Sequence, residues 1–121
     1  MTGVNPYLKI QVETASPVEH VIMLYDKTIL LLKEAEEAIK NGDVKTKVEA
    51  ILKADKILRV LNSSLDMERG GEIAKNLREI YNFVINALVI VNSKNDLKML
   101  SDIIEILSTL KEGWEGIKNK V

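Results

Sequence analysis

Side chains that could perform catalysis or bind a metal are few in this sequence, and they are scattered. His20 is the single histidine, whereas a di-iron centre in a helical bundle needs a Glu-x-x-His pair on each of two helices. Ser63 and Ser64 have no evident base that would activate them as nucleophiles. Gly70 and Gly71 lack the spacing and the preceding strand of a phosphate-binding loop. We therefore expect no catalytic residue, no metal and no cofactor, and the sequence does not predict an enzyme.

The composition is that of a single folded domain. The chain has 121 residues, of which 46% are hydrophobic and 29% charged, with a formal net charge of -1, and this suffices for one buried core. It has no long Lys/Arg cluster, so we expect no nucleic-acid partner. It has no run of roughly 20 apolar residues, so we expect no membrane insertion. The absence of cysteine rules out disulfides and thiolate metal sites.

These residues are positioned by predicted helices, and the first helix has the clearest start. Ser16 can cap the free backbone N–H groups, Pro17 suits the first helical position, and Glu19 lies at the capping-box spacing. Apolar residues then recur every three or four positions to about Lys40. This is the period of an amphipathic helix.

Two glycine-containing connections frame the second helix. Gly42 can adopt the left-handed conformation that ends a helix, and Asp43 can cap the next one, which we expect from about Val44 to Leu65. The double glycine Gly70–Gly71 supplies flexibility to the following turn. Glu72 then lies in the first turn of the third helix, where a carboxylate favours the helix dipole.

The third and fourth helices carry long apolar stripes. The third stripe runs from Ile73 to Val91 and the fourth from Leu100 through Ile117 to Val121, and Ser93 or Asn95 is expected to cap the fourth helix. The aromatic residues on the helical stripes are expected to anchor the core: Tyr25, Tyr81 and Trp114. Four helices with short connections predict an all-α fold, an antiparallel up-down four-helix bundle with a short N-terminal capping segment.

The helices contain more apolar residues than their core-facing stripes require. About half of this surplus can widen the core faces, because a stripe broader than 100° is normal. The rest must lie in grooves or on the surface, where apolar patches usually bind a partner. We predict that Ile57, Val60, Phe83 and Ile90 are such groove or surface contacts.

The segment before Ser16 is apolar but too short to hold a helix by itself. We assign residues 1–15 to an N-terminal arm or cap and residues 16–121 to the bundle domain. Two interpretations of the arm are open. It is either a docked cap that fills space, or a removable plug over a partner groove in which Val4, Tyr7 and Ile10 are the plug residues.

Several segments together resemble the FliS family of flagellin chaperones. The most specific is the block from Ser64 to Leu77, Ser-Leu-Asp-Met-Glu-Arg-Gly-Gly-Glu-Ile-Ala-Lys-Asn-Leu, followed by Ile80–Tyr81. The remaining matches extend the resemblance from about Tyr7 to Lys118: Thr14 to Pro17, Met23 to Asp26, Asn92 with Asp96, and Trp114. Lys27–Thr28 departs from the family, which often has a Gly-Ala pair after Leu-Tyr-Asp.

The resemblance implies a helical bundle with an N-terminal cap and a specific client. That client is the C-terminal region of flagellin, which is unstructured before polymerisation. The family binds this tail in the cytosol, prevents premature filament assembly and supports delivery of the subunit to the flagellar type III export apparatus. The implied location is cytoplasmic, and the first residues lack the basic start and apolar core of a secretory signal. Export-gate components and a co-chaperone are further candidate partners, and in the family the N-terminal segment can cover part of the client site.

Two other functions remain open at this point. The chain could be a structural or regulatory helical module that self-associates through the same apolar patches. A homodimer without affinity for flagellin would support this alternative. An enzyme or cofactor-binding bundle is the weakest interpretation, because the sequence supplies none of the required side-chain clusters.

Overall fold

A computed structural model gives the fold, and it describes residues 17–120. These residues form four α-helices: α1 (Pro17–Asn41), α2 (Val44–Ser63), α3 (Gly71–Lys94) and α4 (Leu97–Lys120). The helices appear in the predicted order, and the all-α prediction is confirmed. α2 ends at Ser63 rather than at the predicted Leu65. The arm, residues 1–15, and the predicted cap Ser16 lie outside the described residues.

The helices form a ring in which each contacts the next along the chain and α4 closes against α1. α1 packs most extensively, between α2 and α4, and the contact between α3 and α4 is the least extensive of the four. Because the connections are short, neighbouring helices run antiparallel. The predicted up-down four-helix bundle is therefore confirmed. None of α1 to α4 combines the length and the apolar character that a membrane-spanning helix needs.

The core draws large side chains from all four helices. Those that are fully buried include Tyr25, Leu32, Leu58, Tyr81, Leu88, Leu100, Ile103 and Leu107. Trp114 is half-buried and packs against this core. Ile73, at 71% exposure, and Ile117 are exposed instead, so the predicted stripes are wrong at these two positions. Both residues lie in a terminal turn of a helix, where fewer neighbouring side chains surround them.

The connection between α1 and α2 follows the predicted stop and start. Gly42 has φ +70, a left-handed conformation that glycine adopts at little cost. The Asp43 side chain accepts a hydrogen bond from the Thr46 backbone N–H at 3.1 Å. This satisfies one of the free N–H groups of the first turn of α2, as an N-cap does.

The cap between α3 and α4 differs from the prediction. Asp96, and not Ser93 or Asn95, caps α4, because its Oδ1 accepts a hydrogen bond from the Met99 backbone N–H at 3.0 Å. Asn95 instead ends α3 with φ 53, and its N–H donates to the Val91 carbonyl at 2.8 Å. Asparagine tolerates this left-handed conformation better than most residues. Helix α3 therefore runs on through Ser93.

Lys47 links the start of α2 to this α3–α4 turn. Its side chain is buried, and Nζ donates to the Asn92 carbonyl at 2.8 Å and to Asn95 Oδ1 at 2.9 Å. A cation is favourable at the negative end of the helix dipole. The contact attaches this turn to α2, which lies more than 40 residues earlier in the chain.

Candidate functional site

An apolar cleft of about 240 Å³ opens at the end of the bundle where the α2–α3 connection meets the first turns of α1 and the last turns of α4. Its walls are largely apolar and come from all four helices and the connection. They are formed by Val21, Leu61, Ser64, Leu65, Asp66, Gly70, Ile73, Ala74, Leu77, Tyr81 and Trp114. Apolar clefts of this kind are typical binding sites for side chains of a partner.

The α2–α3 connection is held in a fixed shape beside this cleft. Asp66 Oδ1 accepts hydrogen bonds from the backbone N–H groups of Glu68 at 3.2 Å and Arg69 at 3.0 Å, and the Asp66 carbonyl accepts from the Gly70 N–H at 2.8 Å. The specific Ser64–Leu77 block of the sequence therefore builds one wall of the cleft.

Glycine is favoured at each of the two positions in this connection for a different physical reason. A Cβ on Gly70 would lie 2.5 Å from Ala74 Cβ and 2.7 Å from the Asp66 carbonyl oxygen, so only glycine fits. Gly71 has φ +52, which favours a residue without a Cβ. The pair thus permits close packing and a left-handed turn, in addition to the flexibility that the sequence suggested.

A tyrosine pair lies beneath the cleft. Tyr81 lines it, and its hydroxyl lies 2.5 Å from the hydroxyl of Tyr25 within the core, with ring centroids 6.4 Å apart. Burial is the largest cause that raises the pKa of both hydroxyls, and the hydrogen bond to Tyr25 raises the pKa of Tyr81 further. Both groups therefore stay neutral at physiological pH, and the floor of the cleft carries no charge.

The four predicted contact residues lie on two helices. On α2, Ile57 is half-buried against the core, and Val60 is 51% exposed. On α3, Phe83 is 57% and Ile90 39% exposed. Three large apolar side chains among the four are thus exposed, as a partner-binding surface requires.

The structure places these residues in two patches and not in one shared groove. The groove between α2 and α3 is lined by Asn62 on α2 and Asn82 on α3. At about 100° of helix rotation per residue, Val60 lies roughly 160° from Asn62, and Phe83 lies roughly 100° from Asn82. Ile57 and Val60 therefore form one patch on the α1 side of α2, and Phe83 and Ile90 form another on the α4 side of α3. The predicted plug residues, Val4, Tyr7 and Ile10, lie outside the described residues.

Sequence reasoning missed the cleft as a site. The sequence predicts Trp114 as a core anchor, Leu65 as the end of the second helix and Ile73 as a core residue of the third. The signal that could have found the cleft is the concentration of the most specific family block, from Ser64 to Leu77, in one connection and one helix start. Within residues 17–119, no group of three or more His, Asp or Glu side chains is arranged to hold a metal ion.

Comparison with known proteins identifies the family. The sequence model described as Flagellar protein FliS matches residues 1–121, which is the whole chain. The chain belongs to the FliS family. The resemblance found in the sequence is therefore confirmed. Among the FliS relatives, the flagellar secretion chaperone FliS of Vibrio cholerae is 41% identical over 107 residues, covering 88% of this chain and 79% of the relative.

Further FliS relatives agree along nearly the whole chain. The flagellar secretion chaperone FliS of Salmonella typhimurium is 36% identical, with 98% of this chain and 92% of the relative covered. That of Bacillus subtilis is 32% identical, with 92% and 84% covered. These relatives make the chain a flagellar secretion chaperone, and membership of a chaperone family confirms that it is not an enzyme.

A solved structure supports the FliS fold. A crystal structure of a flagellar chaperone from bacteria superposes with a TM-score of 0.82 at 17% identity, covering 95% of this chain and 96% of that chain. At this identity, the likeness concerns the fold, which is the same helical bundle.

Proposed function

We propose that this chain binds the disordered C-terminal region of flagellin in the cytosol, prevents its premature polymerisation and supports its delivery to the flagellar type III export apparatus. Two facts support the proposal: the chain belongs to a family of flagellar secretion chaperones, and its folded bundle keeps large apolar side chains exposed. A disordered client can cover such a surface with short apolar segments. Export-gate components and a co-chaperone remain proposed further partners.

The single observation that carries the proposal is the exposure of Val60, Phe83 and Ile90. They lie on helices that already pack other apolar side chains into the core of the bundle. Burial of apolar surface contributes about 25 cal/mol per Å². A tail that folds on contact must offset its ordering entropy with this gain, so it needs several separate apolar contacts. Two patches on different sides of the bundle suit a tail that wraps around it better than a rigid partner.

The residues proposed to contact the client are Ile57, Val60, Phe83 and Ile90. Val4, Tyr7 and Ile10 are proposed as the plug that covers part of the client site before binding. The apolar cleft favours this arrangement, because Val21 in its wall lies only four residues after the start of α1 at Pro17. The cleft therefore lies at the end of the bundle where α1 begins.

The direct test compares full-length flagellin with flagellin that lacks its C-terminal region. We expect co-elution with full-length flagellin and none with the truncated form. Trp114 is the only tryptophan of this chain and lines the cleft, so its fluorescence should shift when a client or a displaced arm changes its surroundings. Equal binding of both forms of flagellin, or a homodimer that binds neither, would contradict the proposal.

A further inference from the structure

The groove between α2 and α3 is lined mainly by polar side chains. It has a volume of about 570 Å³, and its polar lining consists of Arg59, Asn62, Ser63, Arg78, Asn82 and Asn86. We call it the amide groove. It lies between the two apolar patches.

Arg78 brings an uncompensated positive charge to the amide groove. Its Nε donates to Asn62 Oδ1 at 3.2 Å, and its Nη2 donates to the Asn62 carbonyl at 3.1 Å. Both acceptors are neutral, and no carboxylate between residues 17 and 119 lies within 4.0 Å of this guanidinium. Arg59 differs, because its Nε is paired with Asp55 at 2.9 Å. Arg78 is therefore held in place by Asn62 while Nη1 remains available to a guest.

Two asparagines continue the line that Arg78 begins on α3. Asn82 Oδ1 accepts a hydrogen bond from Asn62 Nδ2 at 2.9 Å, which leaves Asn82 Nδ2 as a donor without a partner in the described part of the chain. Asn86 is exposed and lines the same groove. An asparagine amide has the same donor and acceptor groups as a peptide bond, so both residues can pair with a polypeptide backbone.

The spacing of these three residues matches an extended polypeptide. Arg78, Asn82 and Asn86 are each four residues apart on α3, which corresponds to about 6 Å along the helix axis. In an extended chain, alternate residues are about 6.6 Å apart and point the same way. In an extended segment lying along α3, every second residue would therefore face one of Arg78, Asn82 and Asn86.

We propose that the amide groove binds an acidic, extended segment of the client polypeptide, with Arg78 paired to an Asp or Glu side chain and Asn82 and Asn86 hydrogen-bonded to its backbone. The identity of the client rests on the proposed function. The acceptors that hold the Arg78 guanidinium are neutral, and its Nη1 is unused within residues 17–119. Such a group suits a carboxylate, which it binds with charge-assisted hydrogen bonds. A single guanidinium without a carboxylate partner in this groove, in a chain of net charge -1, suits a single carboxylate and not a polyanion such as RNA.

The test measures the affinity of the whole chain for a peptide that spans the C-terminal region of flagellin. Arg78→Gln removes the charge and should weaken binding about tenfold or more, since hydrogen bonds to a charged group are the strong ones. High salt should reduce the difference between this variant and the wild type. Lys45→Gln, an equal change of charge at an exposed position of α2 outside the groove and outside both patches, is the matched control and should bind within about twofold of the wild type.

Asn82→Asp separates binding from folding. The new carboxylate can still accept the hydrogen bond from Asn62, and it lies four residues from Arg78, where it can form an internal ion pair. This variant should be at least as stable as the wild type in urea, yet it should bind the peptide about tenfold more weakly, as is expected for Arg78→Gln. Wild-type affinity of either variant would overturn the proposal.

Variants of the peptide identify the carboxylate. Each acidic side chain of the peptide is replaced in turn by its amide. We expect one replacement to weaken binding to the wild type but not to weaken binding to Arg78→Gln any further, as a double-mutant cycle requires for paired residues. Amidation of the peptide's C-terminus should change nothing; a loss of affinity there would assign the carboxylate to the chain terminus and overturn the proposed side-chain contact. If the wild-type protein does not bind the peptide at all, the proposed function fails; if it binds and Arg78 is irrelevant, only the amide groove proposal fails.

Discussion

The hydroxyl groups of Tyr25 and Tyr81 lie 2.5 Å apart in the core and join α1 to α3, which sit diagonally across the bundle. Both side chains are almost fully buried. The Tyr81 hydroxyl depends on Tyr25 for its hydrogen bond, whereas the Tyr25 hydroxyl also interacts with the Trp114 side chain. A buried hydroxyl without a partner loses the solvation it had in water. The pair therefore connects the stability of the bundle to the floor of the apolar cleft, which Tyr81 lines.

Removing one hydroxyl of this pair should cost more than half of the free energy of unfolding that the whole pair contributes. Tyr25→Phe leaves the Tyr81 hydroxyl buried and unpaired, and we expect a loss of about 1–3 kcal/mol in the free energy of unfolding. The double variant Tyr25→Phe/Tyr81→Phe should be more stable than the sum of the two single losses predicts, because no unpaired hydroxyl remains. Urea unfolding of the four proteins measures the cycle. Strictly additive losses would show that the hydroxyls do not depend on each other.

The same pair should make stability fall at alkaline pH. Burial raises the pKa of both hydroxyls in the folded state, above the ordinary tyrosine value of about 10. The folded state then keeps protons that the unfolded state releases, so the contribution is fully present below about pH 10 and is lost as pH rises further. Urea unfolding at about pH 8 and about pH 11 should show a larger decrease for the wild type than for the double phenylalanine variant. Equal decreases would assign the pH dependence to the lysines.

The sequence predicted the helices because their determinants are local. The three-to-four residue spacing of apolar side chains and the Asp43 cap act within one or two turns. The α4 cap was predicted incorrectly because Ser93, Asn95 and Asp96 are all good cap residues, and local preference does not separate them. What distinguishes them is tertiary: Lys47 holds Asn95 at the end of α3.

The candidate site was less predictable for the same reason. Whether an apolar residue such as Ile73 or Phe83 is covered depends on how neighbouring helices rotate against each other, and a single sequence does not contain that rotation. The surplus of apolar residues indicated a binding surface, and Val60 and Phe83 are indeed exposed. It did not show that they fall into two patches. The amide groove was overlooked because asparagines on a helix read as ordinary solvated residues.

Two glycine substitutions should have opposite effects on stability. Gly70→Ala would bring Cβ to 2.5 Å from Ala74 Cβ, so the α2–α3 connection must shift, and we expect a loss of about 1–3 kcal/mol with a change in Trp114 fluorescence. Gly113, within α4, has open space around its Cβ position, and Gly113→Ala should stabilise the protein by up to about 1 kcal/mol. Thermal unfolding of both variants checks the pair. A neutral Gly70→Ala would mean that the connection is free to move and does not shape the cleft.

Charged substitutions on the exposed patches should separate client binding from folding. Phe83 is exposed, so Phe83→Asp should change the free energy of unfolding by no more than about 0.5 kcal/mol while it abolishes co-elution with flagellin, because a carboxylate would have to be buried under the client. Val44→Asp, at an exposed apolar residue of α2 outside both patches, is the matched control and should bind normally.

Ile57→Asp tests the other patch, and its outcome is more informative than that of Phe83→Asp. Ile57 is half-buried against the core, so the new carboxylate is partly desolvated in the free protein, and some loss of stability is expected. If Ile57 also contacts the client, binding should be lost while the helical circular dichroism spectrum is kept. Loss of the helical spectrum would make Ile57 a core residue, and the patch on α2 would then reduce to Val60. Normal binding by Phe83→Asp and Val60→Asp together would exclude both patches as the place where the flagellin tail docks.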